Sequence, residues 1–409
     1  YVGNLLDRMS PQQRWAFIKI GTGGLRVGMS ARSVKRVLAE FGDVDLDDIE
    51  QLWHAIEPPY EELFLWLSGN SEKPDISGKL SFTPLMLAHP VDLKSLDFIN
   101  PNEWFAEWKY DGIRVQLVTS NEESAIFSRS GENITGSFPE LSKEITRESV
   151  LDGELVVMRD KEMGSFNDLQ KRLNKKRPTK KDINSYPTAV IVYDVLSCRG
   201  ESYRKKTLEE RRSLLESFFK KGAMSDRLFL SPTLSFTDST DLQRIVENLT
   251  KNRENQFEGL MIKKKASEYV SGRPKGEWFK WKKEPHLVDA VLMYAQRGHG
   301  KRSSFYSDYT FGLWDEGNLL PIGKAYFGFT DEELGLLDKW VRNNTVERFG
   351  PVRAVEPGLV LEIAFDSVHI SNRHKSGVAL RFPRVNRIRW DKSADCADHI
   401  GILKDLVVN

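Results

Sequence analysis

The chain has 409 residues, with 60 lysines and arginines against 59 aspartates and glutamates, and a formal net charge of +1. That length exceeds one ordinary hydrophobic core, so two or three domains are expected. A hydrophobic fraction of 40% and a charged fraction of 29% are typical of a folded globular protein and exclude the disordered and fibrous classes. The near-zero net charge argues against a uniformly basic nucleic-acid binder.

The sequence also lacks the features of membrane and secreted proteins and of proteins stabilised by disulfides or a four-cysteine zinc site. Its apolar runs fall short of the roughly 18 residues that cross a bilayer, and no signal peptide precedes the first predicted helix. The two cysteines, Cys198 and Cys396, cannot form a disulfide framework or a four-cysteine zinc site. We therefore expect no membrane association and a cytoplasmic location, associated with the nucleoid if the source is prokaryotic.

Helical spacing dominates the first stretch. Two apolar sets repeat at i, i+3, i+4 and i+7: Val34, Val37, Leu38 and Phe41, then Ile49, Leu52, Trp53 and Ile56. Ser30 is placed to cap the first helix, and Asp47 and Asp48 suit the N-terminus of the second. Gly, Ser, Asn, Pro and Lys between residues 67 and 82 indicate a linker. We predict an all-α domain over residues 1–80, incomplete at its N-terminus because the chain begins with Tyr1 and no methionine.

The hydrophobic period changes beyond the linker. Ile113, Val115 and Leu117 alternate with other residues, which favours a strand. Further β-prone runs cover residues 150–158, 188–196 and 259–263, and helical patterns cover residues 208–219 and 239–250. This mixture predicts an α+β domain over residues 81–284.

The C-terminal part has many short strands. The sequence Lys283-Glu284-Pro285-His286 breaks the preceding pattern. Four β-prone runs then follow at turn-like intervals, at residues 288–294, 309–314, 322–327 and 359–365. The spacing predicts a small β-barrel over residues 285–409, closed by a helix over residues 394–408.

Basic residues gather in two stretches, which is the distribution that phosphate neutralisation requires. The first has Lys171, Arg172, Lys175, Lys176, Arg177, Lys180 and Lys181, and the second has Arg373, Lys375, Arg381, Arg384, Arg387, Arg389 and Lys392. A solvated charged surface explains such runs equally well, so both interpretations stay open.

The segment Glu107-Trp108-Lys109-Tyr110-Asp111-Gly112-Ile113-Arg114 carries the most specific chemistry. A lysine becomes a nucleophile when burial or nearby cations favour its free amine, and Lys109 lies between two aromatic residues near Arg114. Gly112 would let the backbone pass close to a nucleotide. Taken alone, the K-x-D-G pattern is weak and also fits a surface turn.

The rest of the chain adds an ordered series of motifs. After the Lys109 segment come Ser128-Arg129-Ser130-Gly131-Glu132, Asp152-Gly153-Glu154, Tyr193-Asp194, Glu258-Gly259-Leu260-Met261-Ile262-Lys263, Trp278-Phe279-Lys280-Trp281-Lys282 and Leu380-Arg381-Phe382-Pro383-Arg384. This order resembles the motif set of ATP-dependent DNA ligases within the covalent nucleotidyltransferase superfamily. The helical part is similar to the DNA-binding domain of larger eukaryotic, archaeal and some bacterial ligases, through the sequence from Thr22 to Gly28.

The resemblance implies a role for each motif residue. Lys109 would be the catalytic nucleophile that carries AMP, and Glu154 and Glu258 would hold Mg²⁺, which prefers oxygen ligands. The implied ATP contacts are Glu107, Arg114, Arg129, Glu154, Tyr193, Arg273, Lys280 and Lys282. Tyr193 would stack on adenine, where many relatives have Phe. Relatives often have arginine at the position of Pro274 here, so Arg273 is assigned as its substitute.

DNA contacts are also implied by the resemblance. The implied residues are Gly23, Gly24, Arg26, Arg32, Phe166, Arg381 and Arg384. The glycine turn before Arg32 would present backbone N–H groups to a phosphate, and Phe166 would wedge against a nick in the minor groove. The C-terminal domain would be an OB-fold that reorients between steps, with residues 387–392 orienting the pyrophosphate.

The implied protein is an ATP-dependent DNA ligase that seals 3′-hydroxyl/5′-phosphate nicks in duplex DNA, acting as a monomer with ATP and Mg²⁺. An RNA ligase or an mRNA capping guanylyltransferase uses the same lysyl-nucleotide chemistry, and a non-catalytic nucleic-acid-binding protein also fits a barrel with basic patches. An NAD-dependent ligase fits less well, because zinc-binding cysteines are missing from the sequence.

Overall fold

The computed structural model describes the chain except for residues 1, 23–28, 77, 93–94, 96, 143–147, 174, 221–225, 252–256, 299–304, 373 and 408–409. The chain forms two compact units, Tyr1–Lys282 and Lys283–Asn409. Across the described residues, no helix combines the length and apolarity that a membrane crossing requires.

Five short helices open the first unit: α1 (Val2–Asp7), α2 (Pro11–Gly21), α3 (Ala31–Gly42), α4 (Leu46–Leu52) and α5 (Glu61–Leu67). The Ser30 hydroxyl accepts a hydrogen bond from the Ser33 N–H at the start of α3, which confirms the predicted cap. Asp47 and Asp48 lie in the first turn of α4, also as predicted.

The prediction of an all-α N-terminal domain is not supported, because the helices form one compact unit with the β-rich part that follows. Their own core is small: Ala39, Ile49, Leu52, Leu63 and Leu67 are its fully buried apolar residues. Val37 and Phe41, which the helical spacing placed in the core, are 51% and 63% exposed. So few buried side chains give little independent stability.

In the described residues of the first unit, twelve strands follow the helices. They are β1 (His89–Pro90), β2 (Trp104–Tyr110), β3 (Ile113–Ser120), β4 (Glu123–Ser128), β5 (Ser149–Arg159), β6 (Glu162–Met163), β7 (Thr188–Cys198), β8 (Glu201–Ser202), β9 (Leu228–Leu230), β10 (Thr233–Leu234), β11 (Phe257–Lys264) and β12 (Trp278–Lys282). The helices are α6 (Pro139–Ser142), α7 (Phe166–Leu173), α8 (Lys180–Ser185), α9 (Leu208–Lys220) and α10 (Ser239–Lys251).

These strands form two sheets. One sheet has the order β1-β12-β11-β2-β10, and the other has β4-β3-β5-β7-β8, with β6 paired to β5 and β9 paired to β7. Short apolar runs within β5 and β7, at residues 155–158 and 189–192, place buried residues on both faces, as expected for central strands covered on both sides. The turn at Asp111 and Gly112 connects β2 of the first sheet to β3 of the second, so the Lys109 segment leads from one sheet into the other.

The second unit is also β-rich, as predicted. Its elements are β13 (His286–Arg297), β14 (Tyr306–Asp315), β15 (Asn318–Ala325), α11 (Asp331–Asn343), β16 (Thr345–Phe349), β17 (Val352–Val355), β18 (Val360–Phe365), β19 (Ser367–Ile370), β20 (Val378–Arg381), β21 (Arg384–Arg389) and α12 (Gly401–Asp405). Seven strands form one antiparallel sheet in which β13 pairs with β14, β17 and β18.

The predicted closing helix over residues 394–408 is wrong over most of that range. The structure has a short 3₁₀ turn, Ala394–Cys396, and then α12. Between them the Asp398 N–H donates to the Asp289 carbonyl (2.9 Å) and the Ile400 N–H donates to the Trp314 carbonyl (3.0 Å). These bonds to neighbouring strands take the backbone groups that a continuous helix would use.

Candidate active site

Strand register brings the first group of predicted site residues together. Across three neighbouring strands, Lys109 of β2 is paired with Gly259 of β11, which is paired with Lys282 of β12. Two residues further along each strand, a second row has Glu107, Met261 and Lys280. Alternate residues of a strand share a face, so Lys280 and Lys282 lie on the same face of β12.

Glu258 is the immediate partner of Lys109. The Lys109 ammonium donates a short hydrogen bond to Glu258 Oε2, and Lys282 Nζ lies 3.3 Å from the same oxygen. Burial opposes ionisation of Glu258, but Lys109, a hydrogen bond with Asp111 and Lys282 outweigh it and lower the pKa of this carboxyl. The ion pair fixes the Lys109 side chain beside Glu258, and an amine must be unprotonated to act as a nucleophile.

Glu154 faces the same cleft from the second sheet. It is paired in register with Arg114 across β5 and β3. Burial raises the pKa of Glu154 to about 8 despite the opposing charges of Lys109 and Arg114, and Glu258 adds to the rise. Ionisation of such a buried carboxyl is unfavourable without a partner, and a cation bound beside it would stabilise the charged form.

Glu154 and Glu258 together suit a magnesium ion. In the described part of the chain, no three carboxylate, histidine or cysteine side chains converge on a point, so no all-protein cage is formed there. Mg²⁺ usually takes one or two carboxylates and completes its shell with water and substrate phosphates. Two carboxyls that repel each other across a cleft lined by lysines fit that requirement.

The burial of Glu154 has a measurable consequence for stability. In the presence of a chelator, Glu154→Gln should gain stability relative to the unsubstituted protein as pH rises. A folded-state pKa raised to about 8 means that the stability carried by protonated Glu154 is present below its ordinary pKa and is lost as pH rises through 8. The unfolding free energy of Glu154→Gln minus that of the unsubstituted protein should increase by about 2 kcal/mol between pH 6 and pH 9, measured by urea denaturation. A difference that does not change with pH would contradict the buried, metal-free carboxyl.

A second feature of the cleft is its concentration of cations around Lys280. Burial and the charges of Lys282, Arg273, Lys109 and Arg129 together lower the pKa of the Lys280 amine. This places Arg273, the substitute assigned beside Pro274, within electrostatic range of Lys280. Four cations around one amine repel each other unless an anion lies among them, and a polyphosphate supplies that charge.

The predicted base-binding residues lie beside a buried ion pair. Lys263 Nζ donates to Glu107 Oε2 (2.7 Å), and both residues are buried, at 1% and 2% exposure. The same ammonium lies 4.4 Å from the ring centroid of Tyr193 and 4.9 Å from that of Trp278. Lys263 thus fixes both Glu107 and the Tyr193 ring, although the sequence offered no sign of this beyond its place in the Glu258 motif.

Arg114 is held by a network that sequence reasoning missed. Its guanidinium donates to both carboxylate oxygens of Asp152 (3.0 and 2.6 Å) and to the Met86 carbonyl (2.8 Å). The Tyr269 and Tyr193 hydroxyls also donate to Asp152, at 2.7 and 3.3 Å. The Asp152-Gly153-Glu154 motif pointed to this strand, but no local pattern in the sequence indicates Tyr269.

Two motif glycines are explained by packing. A Cβ at Gly112 would overlap the Leu155 carbonyl and lie 2.8 Å from Glu154 Cγ, so the glycine admits Glu154. Packing against Glu154 thus accounts for Gly112, and the close approach of this glycine to a nucleotide stays a prediction. Gly259 has φ +154°, and a Cβ there would overlap the Trp281 carbonyl across the strand pair.

Of the predicted DNA contacts in the first unit, the structure describes Arg32 and Phe166. Gly23, Gly24 and Arg26 lie outside the described residues. Arg32 lies in α3, where Nε is 3.7 Å from Glu50 Oε1. Phe166 begins α7 and is partly buried against the core beneath the second sheet. In the first basic stretch, Arg172 is fully buried and donates to Glu140, so it is a structural residue.

Arg381 and Arg384 lie in the second unit on either side of an exposed aromatic residue. Phe382 is 58% exposed with φ +50°, and the Arg381 guanidinium lies 5.2 Å from its ring centroid. Arg384 pairs with Asp366 at 3.0 Å. An exposed ring between two arginines is suited to a nucleic-acid surface, and sequence reasoning did not single out Phe382.

The segment implied to orient pyrophosphate is paired with acids of its own unit. Arg389 and Lys392 lie 3.0 and 2.8 Å from Asp289 Oδ2, and Arg387 lies 3.0 Å from Glu362. These ion pairs hold the basic side chains of β21 at one side of the second unit.

Comparison with known proteins gives a consistent result. Residues 85–282 match the model of the "ATP dependent DNA ligase domain", and residues 302–392 match that of the "ATP dependent DNA ligase C terminal region". The chain is 36% identical to a protein of Koribacter versatilis named "Probable DNA ligase", over 96% of this chain and 72% of that protein. It is 30% identical to "DNA ligase 1" of Korarchaeum cryptofilum, over 98% of this chain and 73% of that protein.

Solved structures agree at the level of the fold. A structure titled "DNA binding with a minimal scaffold: Structure-function analysis of Lig E DNA ligases" is matched with a TM-score of 0.53 and 18% identity, covering 75% of this chain and all of that chain. Another, titled "Pmar-Lig_PreS3", gives a TM-score of 0.56 and 20% identity over 75% of this chain and 67% of that chain. The likeness confirms the nucleotidyltransferase and OB-fold-like architecture.

Proposed function

The chain belongs to the ATP-dependent DNA ligase family, and from that membership we propose that it seals nicks in duplex DNA by joining a 3′-hydroxyl to a 5′-phosphate. The observation that supports this best is the cleft itself. Lys109 and Lys282 lie in one row across neighbouring strands and share Glu258, and Glu154 of the second sheet interacts electrostatically with Lys109. That arrangement suits covalent transfer of a nucleotide from ATP.

Lys109 is the proposed nucleophile. Its Nζ attacks the α-phosphorus of ATP, a nitrogen–phosphorus bond forms, and the bond to the departing pyrophosphate breaks. The amine loses two protons to solvent, one before attack and one as the phosphoramidate forms. AMP then passes to the 5′-phosphate at the nick, and the adjacent 3′-hydroxyl displaces AMP to form the phosphodiester bond. The chain's main contribution is alignment and charge neutralisation.

The surrounding residues have proposed roles in the first step. Arg114, Arg129, Arg273, Lys280 and Lys282 neutralise and orient the ribose and phosphates, while Tyr193 stacks on adenine and Glu107 contacts its edge. Glu154 and Glu258 would hold Mg²⁺, which when bound offsets the negative charge that develops on the phosphate oxygens. In the metal-free protein Lys109 is paired with Glu258.

The remaining proposals concern the whole molecule. Residues 1–80 form the DNA-binding segment with Gly23, Gly24, Arg26 and Arg32, residues 81–284 the adenylation domain with Phe166 at the nick, and residues 285–409 the OB-fold domain with Arg381 and Arg384 on DNA. The protein acts as a monomer in the cytoplasm. The division of the structure after Lys282 supports the second boundary.

The test is sealing of matched nicked substrates by the purified chain with ATP and Mg²⁺. We expect joining of a nicked DNA duplex, with little joining of the same nick in an all-RNA duplex. Replacement of ATP by NAD⁺ or GTP should remove the activity. Sealing of RNA alone, or transfer of GMP to a 5′-diphosphate RNA end, would replace this proposal with an RNA ligase or a capping enzyme.

A further inference from the structure

The connection between β11 and β12, residues 265–277, joins the strands that carry Glu258 and Lys280 and itself carries Arg273. Its backbone is held at several points. The Tyr269 N–H donates to the Arg204 carbonyl (2.8 Å), and Gly272 exchanges two hydrogen bonds with the segment next to β1, at 3.0 Å to the Leu85 carbonyl and 2.6 Å from the Leu87 N–H. The connection therefore has one defined path.

On its inner side this connection reaches the nucleotide site through Tyr269. The ring is 2% exposed, and its hydroxyl donates to Asp152 Oδ2 (2.7 Å) while accepting from Arg114 Nη2 (3.1 Å). Asp152 is fully buried and also accepts from Arg114. The three side chains form a closed triangle, so the hydroxyl sets the position of both charged groups. Loss of one bond to a buried carboxylate is costly because water cannot replace it.

On its outer side the connection is anchored to the helices. The Ser271 hydroxyl donates a short hydrogen bond to Glu50, which is 6% exposed in α4. The Arg32 guanidinium of α3 lies next to both Glu50 and Gly272. Arg204, whose carbonyl holds Tyr269, donates both Nη groups to Asp47 of α4 (3.1 and 2.8 Å). Two acids of one helix thus hold the connection, Glu50 directly at Ser271 and Asp47 at Tyr269 through Arg204.

We infer that Tyr269 is a positioning residue for the nucleotide site, that it acts through Asp152 on Arg114, and that α4 sets its position through the Glu50–Ser271 hydrogen bond. This inference rests on the proposed function, because it takes Arg114 as a contact of ATP. Its chemical consequence is specific. A misplaced Arg114 weakens ATP binding before Lys109 is modified, whereas the reactivity of Lys109 itself is unaffected.

The measurement is single-turnover formation of the lysyl-adenylate on the full chain, with α-phosphate-labelled ATP at varied concentration. Tyr269→Phe should raise the ATP concentration for half-maximal rate about 10-fold, with a change of less than about 3-fold at saturating ATP. Glu50→Gln should shift the same concentration in the same direction by about 3-fold. The double variant should be no worse than Tyr269→Phe alone, since both substitutions act on one path.

Tyr309→Phe is the matched control. Tyr309 is fully buried in the core of the second unit, and its hydroxyl donates to the Tyr306 carbonyl (2.7 Å), so the variant loses a buried tyrosine hydroxyl that belongs to the other unit. A Tyr269→Phe protein with the same ATP dependence as Tyr309→Phe overturns the inference. If Tyr269→Phe does not fold, as judged by circular dichroism, an unshifted Glu50→Gln overturns it instead. Absence of label on the unsubstituted chain would be a failure of the proposed function.

Discussion

Lys109→Ala should abolish formation of the covalent adenylate. The residue is proposed to supply the attacking nitrogen, and the lysines described beside it are not placed to replace it. Lys280 and Lys282 belong to another strand, and Lys282 is itself paired with Glu258. Removing a covalent nucleophile lowers the rate by at least about 10⁴-fold, which exceeds the effect of any single phosphate contact. The measurement is retention of acid-stable label after incubation with α-phosphate-labelled ATP.

Two comparisons separate loss of the nucleophile from loss of the Lys109–Glu258 ion pair. Lys109→Arg keeps a cation beside Glu258 but has no free amine near neutral pH, so it should be as inactive as Lys109→Ala. Lys339→Ala, at an exposed position of α11, should label normally. Both Lys109 variants should still seal a nick that already carries AMP on its 5′-phosphate. Label on Lys109→Ala would assign the nucleophile to another residue.

The sequence predicted the long strands and the order of the site well, for a physical reason. The strands β5 and β7 have eleven residues each and contain short apolar runs, at residues 155–158 and 189–192, which favour buried central strands. Once β2, β11 and β12 pair, their register places Lys109 and Lys282 in one row. Formation of this sheet is therefore sufficient to bring the lysines of β2 and β12 together.

Other parts depended on contacts that no local pattern encodes. Tyr269 and Asp152 are 117 residues apart and meet only in the folded chain. Helical spacing at Val37 and Phe41 predicted a buried face, yet both side chains are exposed because α3 packs through Leu38 and Ala39. The prediction of a closing helix was wrong for a similar reason, because the backbone N–H groups of residues 398 and 400 donate to strands that are distant in sequence. Tertiary contacts decide such positions against local preference.

Glu258→Gln should lower the rate of adenylate formation about 100-fold, although one of its effects favours the reaction. The substitution removes the ion pair that holds the Lys109 side chain at Glu258, which frees that side chain to approach ATP. It also removes one of two carboxyls placed to hold Mg²⁺ on the phosphates, a loss of several kcal/mol in charge stabilisation. The second effect is larger, so the rate falls.

The magnesium dependence of the rate distinguishes the two effects. For Glu258→Gln, the Mg²⁺ concentration for half-maximal adenylation should rise at least about 10-fold, because a neutral amide is a weaker ligand than a carboxylate. Glu103→Gln is the control, since Glu103 is exposed just before β2 in the same unit. A faster Glu258→Gln enzyme with unchanged Mg²⁺ dependence would mean that Glu258 restrains Lys109 and binds no metal. Glu154 would then be the main carboxylate for the ion, and the cleft would need a phosphate-bound Mg²⁺ with one protein ligand.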